Sequence, residues 1–146
     1  MDLTAWLNDI TGGQLLLWKV VLASIVFAQA GLQVFLAARL WGVSTVPPVP
    51  VTTASRAHRL NGRATLVVAV LVAISCLGGP AGPTSPTRVL LHSVVGSLVF
   101  LLLAAKYGVL KLVPGGGRFL PWIGSGLFVT FGLIWASSVG DYITSR

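Results

Sequence analysis

Residues 56–71 read RAHRLNGRATLVVAVL: three arginines and a histidine stand directly against an uninterrupted apolar run. Charge marks a water boundary, and the apolar run is what enters a lipid bilayer. The rest of the chain agrees. Of 146 residues, 55% are hydrophobic and 9% are charged, where soluble domains carry roughly 25% charge. A soluble protein of this length has no interior large enough for that apolar surface, so a bilayer must cover it. The formal charge of +7 would point to nucleic acid in a soluble protein. In a membrane protein it points to positive-inside topology and to anionic headgroups as partners, with no nucleic acid involved.

Four stretches are long enough to cross a ~30 Å hydrocarbon core, which takes about 20 helical residues. They cover about 15–40, 55–77, 88–110 and 120–143, with Ser55 as a candidate N-cap for the second. The connections STVPPVPVTT, GGPAGPTSPT and VPGGGR carry proline and glycine breakers. MDLTAWLNDITGG lacks the basic start of a signal peptide. The expected architecture is all-α, a single transmembrane domain forming an integral membrane four-helix bundle. Arg39, Arg56, Arg59, Arg63, Lys106, Lys111 and Arg118 gather on one side with no acid among them. Asp2, Asp9 and Asp141 fall on the other, with Lys19, Arg88 and Arg146. The basic side is expected in the cytoplasm and both termini outside, in a multi-pass protein of the plasma membrane.

Polar side chains inside spans are costly and are the first candidates for function. They are Gln29, Gln33, His58, Ser75, Cys76, His92 and Lys106, with Trp135 near the same outer layer as His92. His58 begins the second span and His92 the third, and consecutive spans run antiparallel. The two imidazoles therefore lie roughly 20–25 Å apart along the membrane normal, too far to share one iron. Cys76 follows His58 by five full turns and shares its face. Lys106 is within about 40° of the face of His92. One seam between the second and third spans would thus carry His92 and Cys76 at its outer end and His58 and Lys106 at its inner end. Gly96, one turn after His92, leaves room for a flat ligand. Each residue also has a plainer reading. His92 can bond Ser75, Ser93 or a backbone carbonyl, and His58 can sit among headgroups. Cys76 can pack as a small apolar group, Lys106 can reach toward water, and Gln29 and Gln33 can bond across helices. The sequence contains no phosphate loop, metal-ligand cluster or serine–histidine–acid set, and no catalytic residue is assigned.

Four segments carry a resemblance: HRLNGR at 58–63, VAISCLG at 72–78, PTRVLLHSVVGSLVFLLLAAK at 86–106, and LPWIGSGLFVTFGLIWASS from 120. Over residues from about 20 to 140 the chain resembles an uncharacterised family of actinobacterial four-helix membrane proteins, distantly like b-type membrane cytochromes. The resemblance implies haem ancestry. Members commonly carry a histidine just before the cysteine of the second span, level with His92. This chain has Ser75 there, which cannot ligate iron in that way.

The functional expectation is a redox-associated membrane protein with a degenerate b-type cytochrome-like or quinone-interacting site. Its cofactor-binding candidates are His92, His58, Cys76, Gly96 and Lys106, and its cofactor is haem b, a quinone, or none. The alternative is a non-catalytic accessory subunit of a larger membrane complex. A small transporter ranks last, because the spans hold no acid and few polar groups.

Overall fold

A computed structural model describes residues 3–78 and 85–144, the side chains of Asp141 and Thr144 excepted. All regular structure among the described residues is helical. The elements are α1 (Leu3–Ile10), α2 (Leu15–Leu40), α3 (Val51–Leu77), α4 (Pro86–Leu112), a 3-10 turn (Gly116–Phe119) and α5 (Leu120–Thr144). The four long helices, α2 to α5, are each long and apolar enough to cross a membrane. At 1.5 Å per residue the 27 residues of α3 extend roughly 40 Å, more than the hydrocarbon core requires.

The helices are apolar on nearly every face, and this decides how they are covered. Leu66, Val67, Val70, Leu71 and Ile74 along α3 are exposed, as are Leu90, Leu91, Val94 and Leu101 along α4. Such continuous apolar surface is lipid-facing. The interior is correspondingly small: Val26, Ala30, Ala69, Val99, Leu127 and Phe131 form one cluster. Small residues and ring stacking bring the helices together. Phe27 of α2 stacks on Phe128 and Trp135 of α5, with centroids 5.5 and 5.1 Å apart. Gly132 admits the Phe27 ring, since a methyl group there would stand 3.3 Å from its Cε2 atom. Trp135 Nε1 donates to Ser24 Oγ at 3.0 Å, fixing α5 on α2.

Around the bundle the order is α3, α2, α5, α4. Helix α2 packs against both α3 and α5, and α5 packs against α4, whereas α3 and α4 barely touch. The seam expected between the second and third spans is therefore an open cleft.

Two helix starts and one additional helix depart from the sequence reading. Helix α3 starts at Val51, not near Ser55: extended Pro50 precedes it, and Ala54 N–H bonds Pro50 C=O at 3.0 Å, closing the first turn. No breaker lies between 51 and 55, so the helix grows back to the proline. Helix α4 starts at Pro86, earlier than Arg88. Its cap is Ser85, whose Oγ accepts from the Arg88 backbone N–H, and proline suits the first helical position. The N-terminal stretch forms α1, which the sequence reading left unassigned. Gly12 and Gly13, both at positive φ, turn the chain after the last residue of α1, Ile10, and α1 lies on the end of α3. A methyl group on Gly78 would stand 3.2 Å from Leu7 Cδ1, and Thr4 Oγ1 donates to Gly78 C=O. The glycine–proline loop at 79–84, Asp2 and Arg146, and the side chain of Asp141 lie outside the described residues.

Candidate functional site

The cleft between α3 and α4 is a cavity of ≈ 320 Å³. Val72 and Cys76 line it from α3, His92, Gly96 and Phe100 from α4, and Ile134 from α5. Its depth comes from helix packing: α2 and α5 form the floor, and the α3 and α4 walls are held apart by their contacts to that floor. Gly96 adds width, because a methyl group at its Cα would meet nothing within 4 Å.

At one end of the cleft three helices bring polar groups together. Cys76 Sγ of α3 stands 3.9 Å from His92 Nε2 of α4. His92 Nδ1 stands 3.0 Å from Ser137 Oγ of α5. Ser137 Oγ donates its own proton to Ile134 C=O at 2.8 Å. Having spent that proton, the Ser137 oxygen is an acceptor toward His92, so the ring proton sits on Nδ1. The network thereby assigns the tautomer, and Nε2 turns a lone pair toward Cys76. Arg88 Nη2 donates to Ser137 C=O at 2.8 Å and ties the start of α4 to α5. Lys19 of α2 acts electrostatically on Cys76.

The other end of the bundle carries a separate polar group. Gln33 Nε2 donates to His58 C=O at 2.9 Å, and Asn61 Nδ2 donates to Gln29 C=O at 2.9 Å. Gly62 makes the first bond possible, since a Cβ there would stand 2.9 Å from Gln33 Nε2. Gln29 Oε1, Gln33 Oε1 and His58 Nδ1 are buried and make no hydrogen bond among the described residues. Lys106 acts electrostatically on His58.

The structure thus brings His92, Cys76 and Gly96 together at one cleft, and His58 near Lys106 elsewhere. Cys76 lies 18 residues beyond His58 on one helix, roughly 27 Å along its axis. His92, level with Cys76, is at the opposite end from His58. The expected partners of His92 are corrected: it bonds Ser137 rather than Ser75 or Ser93, and Ser75 Oγ bonds Leu71 C=O at 2.8 Å. Gln33 bonds across helices through its side chain, whereas Gln29 does so only through its backbone carbonyl. Ser137 and Asn61 were missed as site residues. Depth matching offered a signal for Ser137, which lies two residues beyond Trp135 on the fourth span. Among the described residues no three His, Cys, Asp or Glu side chains converge as a metal site would require.

A model for a family of unknown function, DUF6529, matches residues 4–146, and the chain belongs to that family. No curated protein and no solved structure matches it.

Proposed function

We propose that this member of the DUF6529 family is a redox-associated membrane protein that binds a flat ring of the quinone class in the α3–α4 cleft. The cleft carries the proposal. Its ≈ 320 Å³ falls in the size range of small-molecule sites, about 300–1,000 Å³, and its walls are apolar with few convergent polar groups. Its open side faces the lipid in which quinones dissolve. His92 Nε2, an acceptor, suits the hydroxyl of the reduced ring, and Gly96 leaves space beside it. The basic end of the bundle, bearing Arg56, Arg59 and Arg63, faces the cytoplasm and anionic headgroups in this reading, with both termini outside.

Haem b is the other cofactor the sequence raises, and its ligand would be the same His92. The side chains fit it less well. His58 is at the opposite end, and a macrocycle would have to part Cys76 and His92, which stand 3.9 Å apart. The test is binding of duroquinol to the purified protein in nanodiscs, measured by calorimetry. Saturable binding is expected, weakened about 2–10-fold by His92→Phe, the worth of one hydrogen bond. Absence of binding, or a Soret band in the purified protein, overturns the reading.

The accessory-subunit reading has its own support. Helix α4 buries only Val99, and methyl groups at Gly108 of α4 or Gly124 of α5 would meet nothing within 4 Å. These are places where a helix of a partner can approach closely. Gentle purification with a stoichiometric companion would favour it over the ring-binding reading.

A further inference from the structure

We propose that Cys76 is a nucleophile with His92 as its base, and that the cleft presents this thiol to an electrophilic, lipid-dissolved quinone ring. The inference rests on the reading of the cleft as a quinone site and adds a covalent chemistry to it.

The geometry supplies each part of an activated nucleophile. Nucleophile and base must lie within hydrogen-bond reach, and a third group must orient the base. Cys76 Sγ and His92 Nε2 are 3.9 Å apart, at the long end of the sulfur range, and such contacts commonly tighten when substrate binds. Ser137 orients the base. Because the Ser137 hydroxyl proton is given to Ile134 C=O, His92 must donate from Nδ1 and must present Nε2 as an acceptor. A histidine in the other tautomer would aim a proton at the thiol and could not deprotonate it. Thiol and imidazole both line the apolar cavity, and Gly96 keeps the space beside them clear. A Cys76 serving only as a packing residue needs neither the fixed tautomer nor the open volume.

The step balances without another reactant. Cys76 S–H gives its proton to His92 Nε2. The sulfur electron pair forms a bond to an unsubstituted ring carbon conjugated to a carbonyl. The electrons of the ring double bond move onto the carbonyl oxygen, which takes the proton from His92 Nε2. Loss of the ring C–H proton and protonation of the second oxygen leave a hydroquinone thioether. The two carbonyl carbons are reduced by two electrons, the ring carbon that exchanges hydrogen for sulfur is oxidised by the same two, sulfur stays at the thiol level, and every atom of thiol and ring is retained. Ser137 is a positioning residue in this step.

Cys76 is the chain's one cysteine, so intact mass reports it alone. The full chain in nanodiscs is treated with 1,4-naphthoquinone, which has free ring carbons, and separately with N-ethylmaleimide, which reads thiol reactivity without quinone recognition. One naphthoquinone adduct at Cys76 is expected. His92→Gln should slow both reactions about 10²–10⁴-fold, the usual range for a lost general base. Ser137→Ala should slow them less and shift the pH profile of the rate, and Ser137→Thr, which keeps the hydroxyl, should restore both. A chain carrying Ser75→Cys with Cys76→Ser moves the thiol one position around α3, away from His92. The proposal is overturned if the native chain reacts no faster than that control, or if His92→Gln leaves both rates unchanged. Duroquinol has no free ring carbon and separates the two readings. If it binds but Cys76 proves no more reactive than the control, the nucleophile fails and the quinone site stands. If N-ethylmaleimide reacts in a His92-dependent way and duroquinol does not bind, the quinone site fails and the thiol–imidazole pair stands.

Discussion

Gly62→Ala provides a sensitive measure of the α2–α3 contact. In a helix interior alanine is favoured over glycine by about 0.8–1.0 kcal/mol, so the substitution alone would stabilise α3. The structure opposes this gain. The new Cβ would stand 2.9 Å from Gln33 Nε2, closer than a methyl group and an amide nitrogen can rest. Gln33 must move, and its 2.9 Å bond to His58 C=O is lost. Hydrogen bonds between helices in membranes are worth about 0.6 kcal/mol on average and up to about 1.7. The helix gain and the bond loss thus nearly cancel, and residual crowding makes the change neutral to destabilising by about 1 kcal/mol. With Gln33→Ala already in place neither penalty exists, and Gly62→Ala should stabilise by about 1 kcal/mol. The double-mutant cycle, read by reversible unfolding in mixed micelles, should give a coupling of about 1–2 kcal/mol. Equal stabilisation by Gly62→Ala in both backgrounds would refute the reasoning.

Trp135→Phe keeps a ring against Phe27 but removes the bond from Nε1 to Ser24 Oγ; a loss of about 0.6–1.7 kcal/mol is expected in the same unfolding assay, and Trp135→Ala should cost more. Thr4→Val removes the tie from α1 to Gly78 C=O; faster amide exchange confined to α1 should follow, with the four long helices unchanged. Arg59 is exposed and lies far from the cleft; Arg59→Gln should leave naphthoquinone labelling of Cys76 unchanged while weakening retention of anionic lipid by about 1 kcal/mol, measured by native mass spectrometry. Impermeant labelling of tags at the two termini of intact cells should mark both, and protection of either would reverse the topology drawn from the arginines.

Much of the architecture was legible in the one-dimensional pattern, because in a helix position along the chain is depth. Eighteen residues between His58 and Cys76 place them at opposite ends of α3 whatever surrounds it. For the same reason His92 had to be level with Cys76, and the 3.9 Å contact between them agrees. Helix starts were harder. A serine at 55 resembles a cap, but a cap forms only where the chain is already leaving an extended conformation, and Pro50 sets that point. Helix α1 was hidden because its eight residues fall far short of a membrane-spanning length, and the groups it meets, at Gly78, lie far along the chain.

Rotation of each helix and the choice of neighbours lay beyond the sequence. A soluble helix turns its one apolar stripe inward, but these helices are apolar all round, and lipid covers any face equally well. What selects the neighbours is shape and scarce hydrogen bonds: Phe27 entering beside Gly132, Trp135 reaching Ser24, Gln33 passing over Gly62. Composition and spacing alone determined that the chain is a membrane protein of four long helices, with its polar residues at stated depths. Only the tertiary structure decided that α3 and α4 stand apart around a cavity, and that Ser137, 45 residues from His92, sets which imidazole nitrogen faces the thiol. Depth follows from the covalent rise of a helix, whereas contact across helices depends on packing that no single helix encodes.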